Sequence, residues 1–129
     1  MALSQLHAVL SNTALLFIAA IGLWALVLRF TTRRLTPAWY GAAVVGEVVI
    51  VLQAVIGLVL YLQGLDAALP RPFMHILYGV VAVVTLPAAH GYFGNIKDEG
   101  AKAIAMALTC FFLWGILLRA TSVAQFLPA

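Results

Sequence analysis

The segment PFMHILYGVVAVVTLPAAHGYF, from Pro72 to Phe93, is the stretch of this chain that decides the fold. It is almost continuously apolar, and its length is about that of a helix that crosses a bilayer. It carries one histidine near each end, His75 and His90. An imidazole is costly in hydrocarbon unless it has a partner, so a histidine in such a segment suggests a functional role. The segment therefore predicts a membrane helix with a candidate functional group near each end.

The composition indicates that the rest of the chain also lies in a membrane. Of the 129 residues, 65% are hydrophobic and only 9% are charged. A soluble domain usually has about a quarter of its residues charged. We therefore predict an integral membrane protein that contacts the lipid bilayer and has no nucleic-acid partner. The single cysteine, Cys110, excludes an internal disulfide and a cysteine-based metal site, and we predict that it packs in the interior.

Four apolar segments divide the chain, at about residues 7–30, 38–62, 72–93 and 101–123. Each is long enough to cross a bilayer, and Pro37 and Pro72 are suited to open the second and third helices. The connections are short, so consecutive helices should be antiparallel neighbours. The predicted fold class is all-α, a single domain over residues 1–129 that forms an integral membrane four-helix up-down bundle.

The distribution of basic residues predicts the orientation of this bundle. Cytoplasmic connections carry an excess of Lys and Arg. Five of the seven basic residues lie at or next to the first and third connections, and two lie at the opposite end: Arg29, Arg33, Arg34, Lys97 and Lys102 against Arg71 and Arg119. We therefore expect a multi-pass protein of a bacterial inner membrane with both termini outside.

A third histidine, His7, opens the first helix and gives His75 a possible counterpart. Antiparallel alternation places His7 and His75 at the same depth on different helices. Two neutral imidazoles in that arrangement are what a six-coordinate haem requires, and Ser11 and Gly79, one turn further along each helix, leave room for a flat macrocycle. The alternative is that each histidine lies at the interface or bonds a neighbour. The residues thus predict one haem b per chain, with His7 and His75 as the iron ligands.

The role of His90 is a separate question, because it lies about 22 Å from His75 by helical rise. A second haem near His90 would need an unusual ligand, such as Met106, or a ligand from another chain. The simpler interpretation is a hydrogen bond to Tyr40, to Tyr92 or to an acidic residue. We favour the simpler interpretation.

The second helix adds a carboxyl and an amide inside the membrane. Glu47 must pair, accept hydrogen bonds or stay protonated, and Arg29 and His90 are its candidate partners. It serves either a proton path or quinone contact, or a contact between helices. Gln53 and Gly57 share one helix face, where they either reach a haem edge or join two helices.

Three stretches carry a family resemblance: HAVLSNTALLFIAAIGLWALVLRF, VLQAVIGLVL and MHILYGVVAVV. Together they resemble one half of heme A synthase, an eight-helix enzyme built from two four-helix units that each hold a haem between two histidines. In that family a histidine opens one helix, the next helix carries a Gln-x-x-x-Gly segment, and the following helix opens with the second ligand. The resemblance implies axial-ligand roles for His7 and His75 and matches Gln53 and Gly57 to the middle motif. Cytochrome b561-type proteins share this architecture.

The chain departs from the synthase pattern ahead of His7. In the family a further helix, and an outer loop with a catalytic glutamate and often a cysteine pair, precede the first histidine. Six residues precede His7 here, and none is acidic or cysteine. The resemblance therefore implies the haem-holding scaffold rather than the synthase reaction.

The sequence as a whole predicts a small haem b-binding membrane cytochrome for electron transfer. Two axial histidines leave no open position on the iron, which favours outer-sphere electron transfer. The expected setting is a homo- or hetero-oligomer, as a subunit of a respiratory or photosynthetic assembly, with a redox protein or a quinone as partner. One alternative is a non-haem structural or assembly subunit. Another is a reduced, homodimeric enzyme similar to heme A synthase.

Overall fold

The computed structural model of the protein describes residues 2–64 and 69–124. These residues form four helices and no strands: α1 (Leu3–Phe30), α2 (Pro37–Leu62), α3 (Pro72–Phe93) and α4 (Glu99–Val123). All four are long and apolar enough to cross a membrane. The all-α, four-helix fold class is therefore confirmed, and each helix begins and ends within four residues of its predicted span.

The helix starts follow from local chemistry. Pro37 occupies the first turn of α2, where its missing N–H costs no helical hydrogen bond. The Thr36 hydroxyl caps the same turn by accepting the Trp39 N–H at 3.3 Å. At α4, the Asp98 carboxylate accepts the Gly100 N–H at 3.0 Å. Each cap satisfies a backbone donor that the helix itself leaves free.

The four helices surround one core in an up-down arrangement. Helix α1 packs against α2 and α4, and α3 packs extensively against α4 and much less against α2. Helices α1 and α3 therefore face each other across the diagonal of the bundle. Small residues bring α1 and α4 close, because a Cβ on Gly22 would lie only 3.1 Å from the Cβ of Cys110. Cys110 is fully buried there, which confirms its predicted packing role.

The outer surface of the bundle is apolar. On α2 the side chains of Val44, Val48, Val55, Leu58 and Leu62 are all more than half exposed. A monomeric soluble protein rarely exposes so continuous an apolar face. The surrounding medium that suits this surface is the hydrocarbon of a bilayer.

Labelling of introduced cysteines tests the orientation that the basic residues predict. Asn95 and Gln63 are both exposed, in the α3–α4 connection and at the end of α2. With the first and third connections in the cytoplasm, we expect Gln63→Cys in intact cells to react with an impermeant maleimide. Asn95→Cys should react only after the membrane is opened. The native Cys110 is buried and should give no background. The opposite pattern would reverse the topology.

Candidate functional site: a histidine pair at one end of the bundle

The structure brings His7 of α1 and His75 of α3 together across the bundle. Their ring centroids are 6.1 Å apart and the ring planes are inclined by 77°. Both rings are partly buried. The two histidines therefore share a depth, as the alternation of the helices predicted, and their imidazoles approach each other near the bundle interior.

The ring of His75 is held by the last helix. Its Nδ1 lies 2.8 Å from the backbone carbonyl oxygen of Ala120 in α4. A carbonyl only accepts, so Nδ1 carries the proton and donates it. That tautomer leaves the lone pair of Nε2 free. A metal-binding histidine is usually oriented by such a bond from its other nitrogen, so His75 has the arrangement of a ligand.

The ring of His7 lies against α2. A Cβ placed on Gly57 would come within 3.2 Å of the His7 Cε1 atom, and the backbone of Gln53 also adjoins the ring. Any larger residue at Gly57 would have to displace the imidazole. The Nδ1 atom of His7 is buried and forms no hydrogen bond with the described residues. The predicted Gln-x-x-x-Gly segment thus supplies the surface on which His7 rests.

Ser11 and Gly79, the two residues expected beside the macrocycle, differ in their surroundings. The Ser11 hydroxyl lies 3.3 Å from that of Thr121. Because the Thr121 hydroxyl donates to the Leu117 carbonyl at 3.1 Å, Ser11 donates to Thr121 and links α1 to α4. A Cβ on Gly79 would meet no atom within 4 Å. Open space therefore lies one helical turn from His75, on the Gly79 side.

His90 lies apart from the pair, near the opposite end of α3. Its ring makes an edge contact with Tyr40 of α2, with centroids 5.9 Å apart and planes inclined by 74°. Tyr40 was one of its predicted neighbours, but the contact is aromatic rather than a hydrogen bond. The Met106 side chain, considered as a second ligand, is buried in the core on α4.

Glu47 lacks the polar partner that the sequence led us to expect. Its Oε2 atom is buried and forms no hydrogen bond within residues 2–64 and 69–124. Neither expected partner reaches it. His90 packs on Tyr40. The Nε atom of Arg29 lies beside Gly100 of α4, 3.4 Å from the position that a Cβ on Gly100 would occupy. The expected pairing is therefore wrong, because both candidate side chains lie near the end of the bundle, where the Arg29 Nε itself has no hydrogen-bond partner among the described residues. The Oε1 atom of Gln53 is likewise buried, with no hydrogen-bond partner among the described residues.

Two contributors to the site were missed in the sequence. One is the carbonyl of Ala120, and the other is the hydroxyl of Thr121 that receives Ser11. Every residue has a backbone carbonyl, so the residue type at position 120 could not indicate this hydrogen bond. The only available signal was the antiparallel arrangement, which places the end of α4 beside the start of α1 and α3.

The described part of the chain contains no cluster of three or more His, Cys, Asp or Glu side chains that would hold a bare metal ion. The site is a pair of imidazoles inside a multi-pass helical bundle. Comparison with protein-family models, curated proteins and solved structures finds no match.

Proposed function

We propose that this protein is a small membrane cytochrome that holds one haem b between His7 and His75 and transfers electrons. The observation that carries the proposal is the pair of imidazoles facing each other across the bundle, with centroids 6.1 Å apart. One of them is oriented through its Nδ1 by a backbone carbonyl.

The distance between the rings fits a shared metal. A metal–imidazole nitrogen bond is about 2.0–2.1 Å long, so two imidazoles on opposite sides of one ion have centroids about 6 Å apart. A porphyrin would supply the remaining iron ligands, so two histidines would be sufficient. The open space at Gly79 and the weak packing between α2 and α3 favour this side of the bundle for the macrocycle.

The residues around the pair have distinct tasks in this proposal. The Ala120 carbonyl fixes the ring of His75 and makes its Nε2 a stronger donor to a metal. Gly57 lets the ring of His7 approach α2 closely. When bound, haem supplies one-electron chemistry. His7 and His75 would hold this group, and the bond from His75 to the Ala120 carbonyl would keep one of the two rings in a fixed orientation.

The proposed setting is the outer side of a bacterial inner membrane. The five basic residues at the opposite end support this orientation. The pair then lies near the outer surface, where a redox protein or a membrane quinone reaches it. A subunit of a larger respiratory or photosynthetic assembly, homo- or hetero-oligomeric, fits a chain with so little mass outside the membrane.

A reduced-minus-oxidised absorption spectrum of the purified protein tests the proposal. We expect sharp α and Soret bands of a low-spin b-type haem and no binding of carbon monoxide without loss of a ligand. A protein that remains colourless after expression with added haem would reject the cytochrome and favour a non-haem structural subunit. Conversion of haem O to haem A in a product assay would instead identify a synthase-like enzyme.

The open space at Gly79 provides a second, independent prediction. Gly79→Leu should fill this space and weaken haem binding about 5- to 150-fold, which corresponds to an overpacking cost of about 1–3 kcal/mol. Gly91→Leu is the matched control, since a Cβ on Gly91 also meets nothing within 4 Å and it lies near the other end of α3. The measurement is the haem content per protein, determined from the pyridine haemochrome, which should be lower in Gly79→Leu than in Gly91→Leu. Equal haem content in both variants would place the macrocycle elsewhere.

A further inference from the structure

A groove of about 880 Å³ runs along the outer surface of the bundle between α3 and α4. It begins near Tyr92 and Ala101, at the end of the bundle formed by the first and third connections, which we call the basic end. It ends near Val84 and Phe112. From Ala101 to Phe112 the helical rise gives a length of about 16 Å. The hydrocarbon core of a bilayer is about 30 Å thick, so the groove spans about one leaflet.

The walls of the groove suit a hydrocarbon chain. Small side chains, among them Ala88 of α3 and Ala105 of α4, leave the space open. The Thr85 hydroxyl in the wall donates to the Val81 carbonyl at 2.6 Å. The Thr109 hydroxyl donates in the same way to the Ala105 carbonyl at 2.8 Å. Both threonines therefore satisfy their donors within their own helices, and the walls present a mainly apolar surface.

The mouth of the groove combines a tyrosine with a lysine. Tyr92 is 77% exposed, and its ring packs edge-on against Phe93 with centroids 5.1 Å apart. Such a tyrosine is typical of the level at which hydrocarbon meets the headgroups. Lys97 lies in the connection that joins α3 to α4, where it is exposed and forms no ion pair with the described residues. The Lys102 ammonium, by contrast, lies 3.3 Å from a Glu99 carboxylate oxygen.

The basic end as a whole has a positive charge. Five basic side chains lie there against two acidic ones, Asp98 and Glu99. Asp98 caps α4 and Glu99 pairs with Lys102, so both carboxylates already have partners. Each Lys or Arg close to a membrane surface strengthens the binding of anionic lipid about fivefold. The charge at the mouth therefore complements a headgroup with a net negative charge.

We propose that one anionic phospholipid, from the leaflet at the basic end, binds in this groove. An acyl chain lies along the groove, and the headgroup phosphate accepts hydrogen bonds from the Lys97 ammonium and the Tyr92 hydroxyl. A second copy of the chain fits less well, because a neighbouring helix would contact α3 and α4 across both leaflets, whereas the groove ends near the middle of the membrane. The lipid site lies at the opposite end of the bundle from the histidine pair and does not depend on the proposed haem.

Native mass spectrometry of the whole purified protein tests the lipid preference. The protein is presented with phosphatidylglycerol and phosphatidylcholine that have the same acyl chains, and we expect it to retain one phosphatidylglycerol in preference. Lys97→Gln should reduce this preference about fivefold. Arg119→Gln, which removes an exposed charge near the other end of α4, is the control and should leave the preference unchanged. Retention of neither lipid, equal retention of both, or an unchanged preference in Lys97→Gln would each overturn the proposal.

A second variant tests the groove itself. Ala88 is exposed and lines the groove, so Ala88→Phe should fill the space and abolish retention of phosphatidylglycerol. Ala20→Phe, at an exposed alanine of α1, is the matched control and should retain the lipid. Because both side chains point outward, circular dichroism should show the same helix content in both variants.

Two outcomes of this second experiment would overturn the lipid site. One is undiminished retention in Ala88→Phe. The other is a protein dimer that only Ala88→Phe dissociates, which would identify the groove as an interface between copies. A colourless wild type that still selects phosphatidylglycerol would reject the haem and keep the lipid site, so the two failures are distinguishable.

Discussion

Alanine at His75 is expected to abolish the low-spin haem spectrum, and alanine at His7 is expected to do the same or to convert it to high spin. Each change removes one of the two imidazoles that the proposal assigns to the haem, whose ring centroids lie 6.1 Å apart. His75→Ala should have the larger effect, because it also leaves the Ala120 carbonyl without its donor. The measurement is haem content and spin state of the purified variants.

His90→Ala is the control for both substitutions. His90 is exposed and contacts only the ring of Tyr40 among the aromatic side chains described, far from the pair. The haem spectrum of the His90→Ala variant should match that of the wild type. Loss of haem in His90→Ala alone would move the site to the opposite end of α3. An unchanged spectrum in all three variants would reject histidine ligation.

Substitution of Trp39 by alanine should lower the free energy of unfolding more than the other substitutions predicted here. Trp39 is fully buried, and its indole N–H donates to the Ile21 carbonyl of α1 at 2.9 Å. Removal of a buried Trp costs about 3–5 kcal/mol through lost contacts and the cavity that remains. We expect this decrease in the free energy of unfolding, measured by titration of the detergent-solubilised protein with dodecyl sulfate and followed by circular dichroism.

Trp114→Ala provides the matched comparison, because Trp114 is 37% exposed on α4. Its substitution should lower the free energy of unfolding by less than half as much. Equal losses for the two variants would mean that burial in the α1–α2 interface does not determine the contribution of Trp39.

The sequence was sufficient for the helices and for the proximity of His7 and His75. Hydropathy marks four spans, and proline can open a helix but rarely continue one, so Pro37 and Pro72 define two of the starts. Antiparallel alternation then fixes the relative depth of any two residues near helix ends. The contact between the two histidine rings follows from that rule alone, without knowledge of side-chain packing.

The neighbours of the Glu47 side chain could not be predicted from the depth of residues along the helices. Depth along a bundle follows from counting residues, but the rotation of each helix depends on close packing, here at Gly22 and Gly57. Arg29 lies near the basic end of the bundle, which suggested Glu47 as a partner, yet its guanidinium lies beside the start of α4. Partner choice therefore depended on contacts that the apolar pattern does not encode.

The packing of the first helix against the last has a consequence for biosynthesis. Ser11 and Thr121, joined between α1 and α4, are 110 positions apart in the chain. Contacts so distant in sequence form only after the intervening chain has been made. The ring of His75 likewise bonds the Ala120 carbonyl of α4, so the histidine site is completed only when the last helix has been inserted. If the site holds the proposed haem, a nascent chain that stops before α4 should be unable to retain it and should be a substrate for membrane proteases.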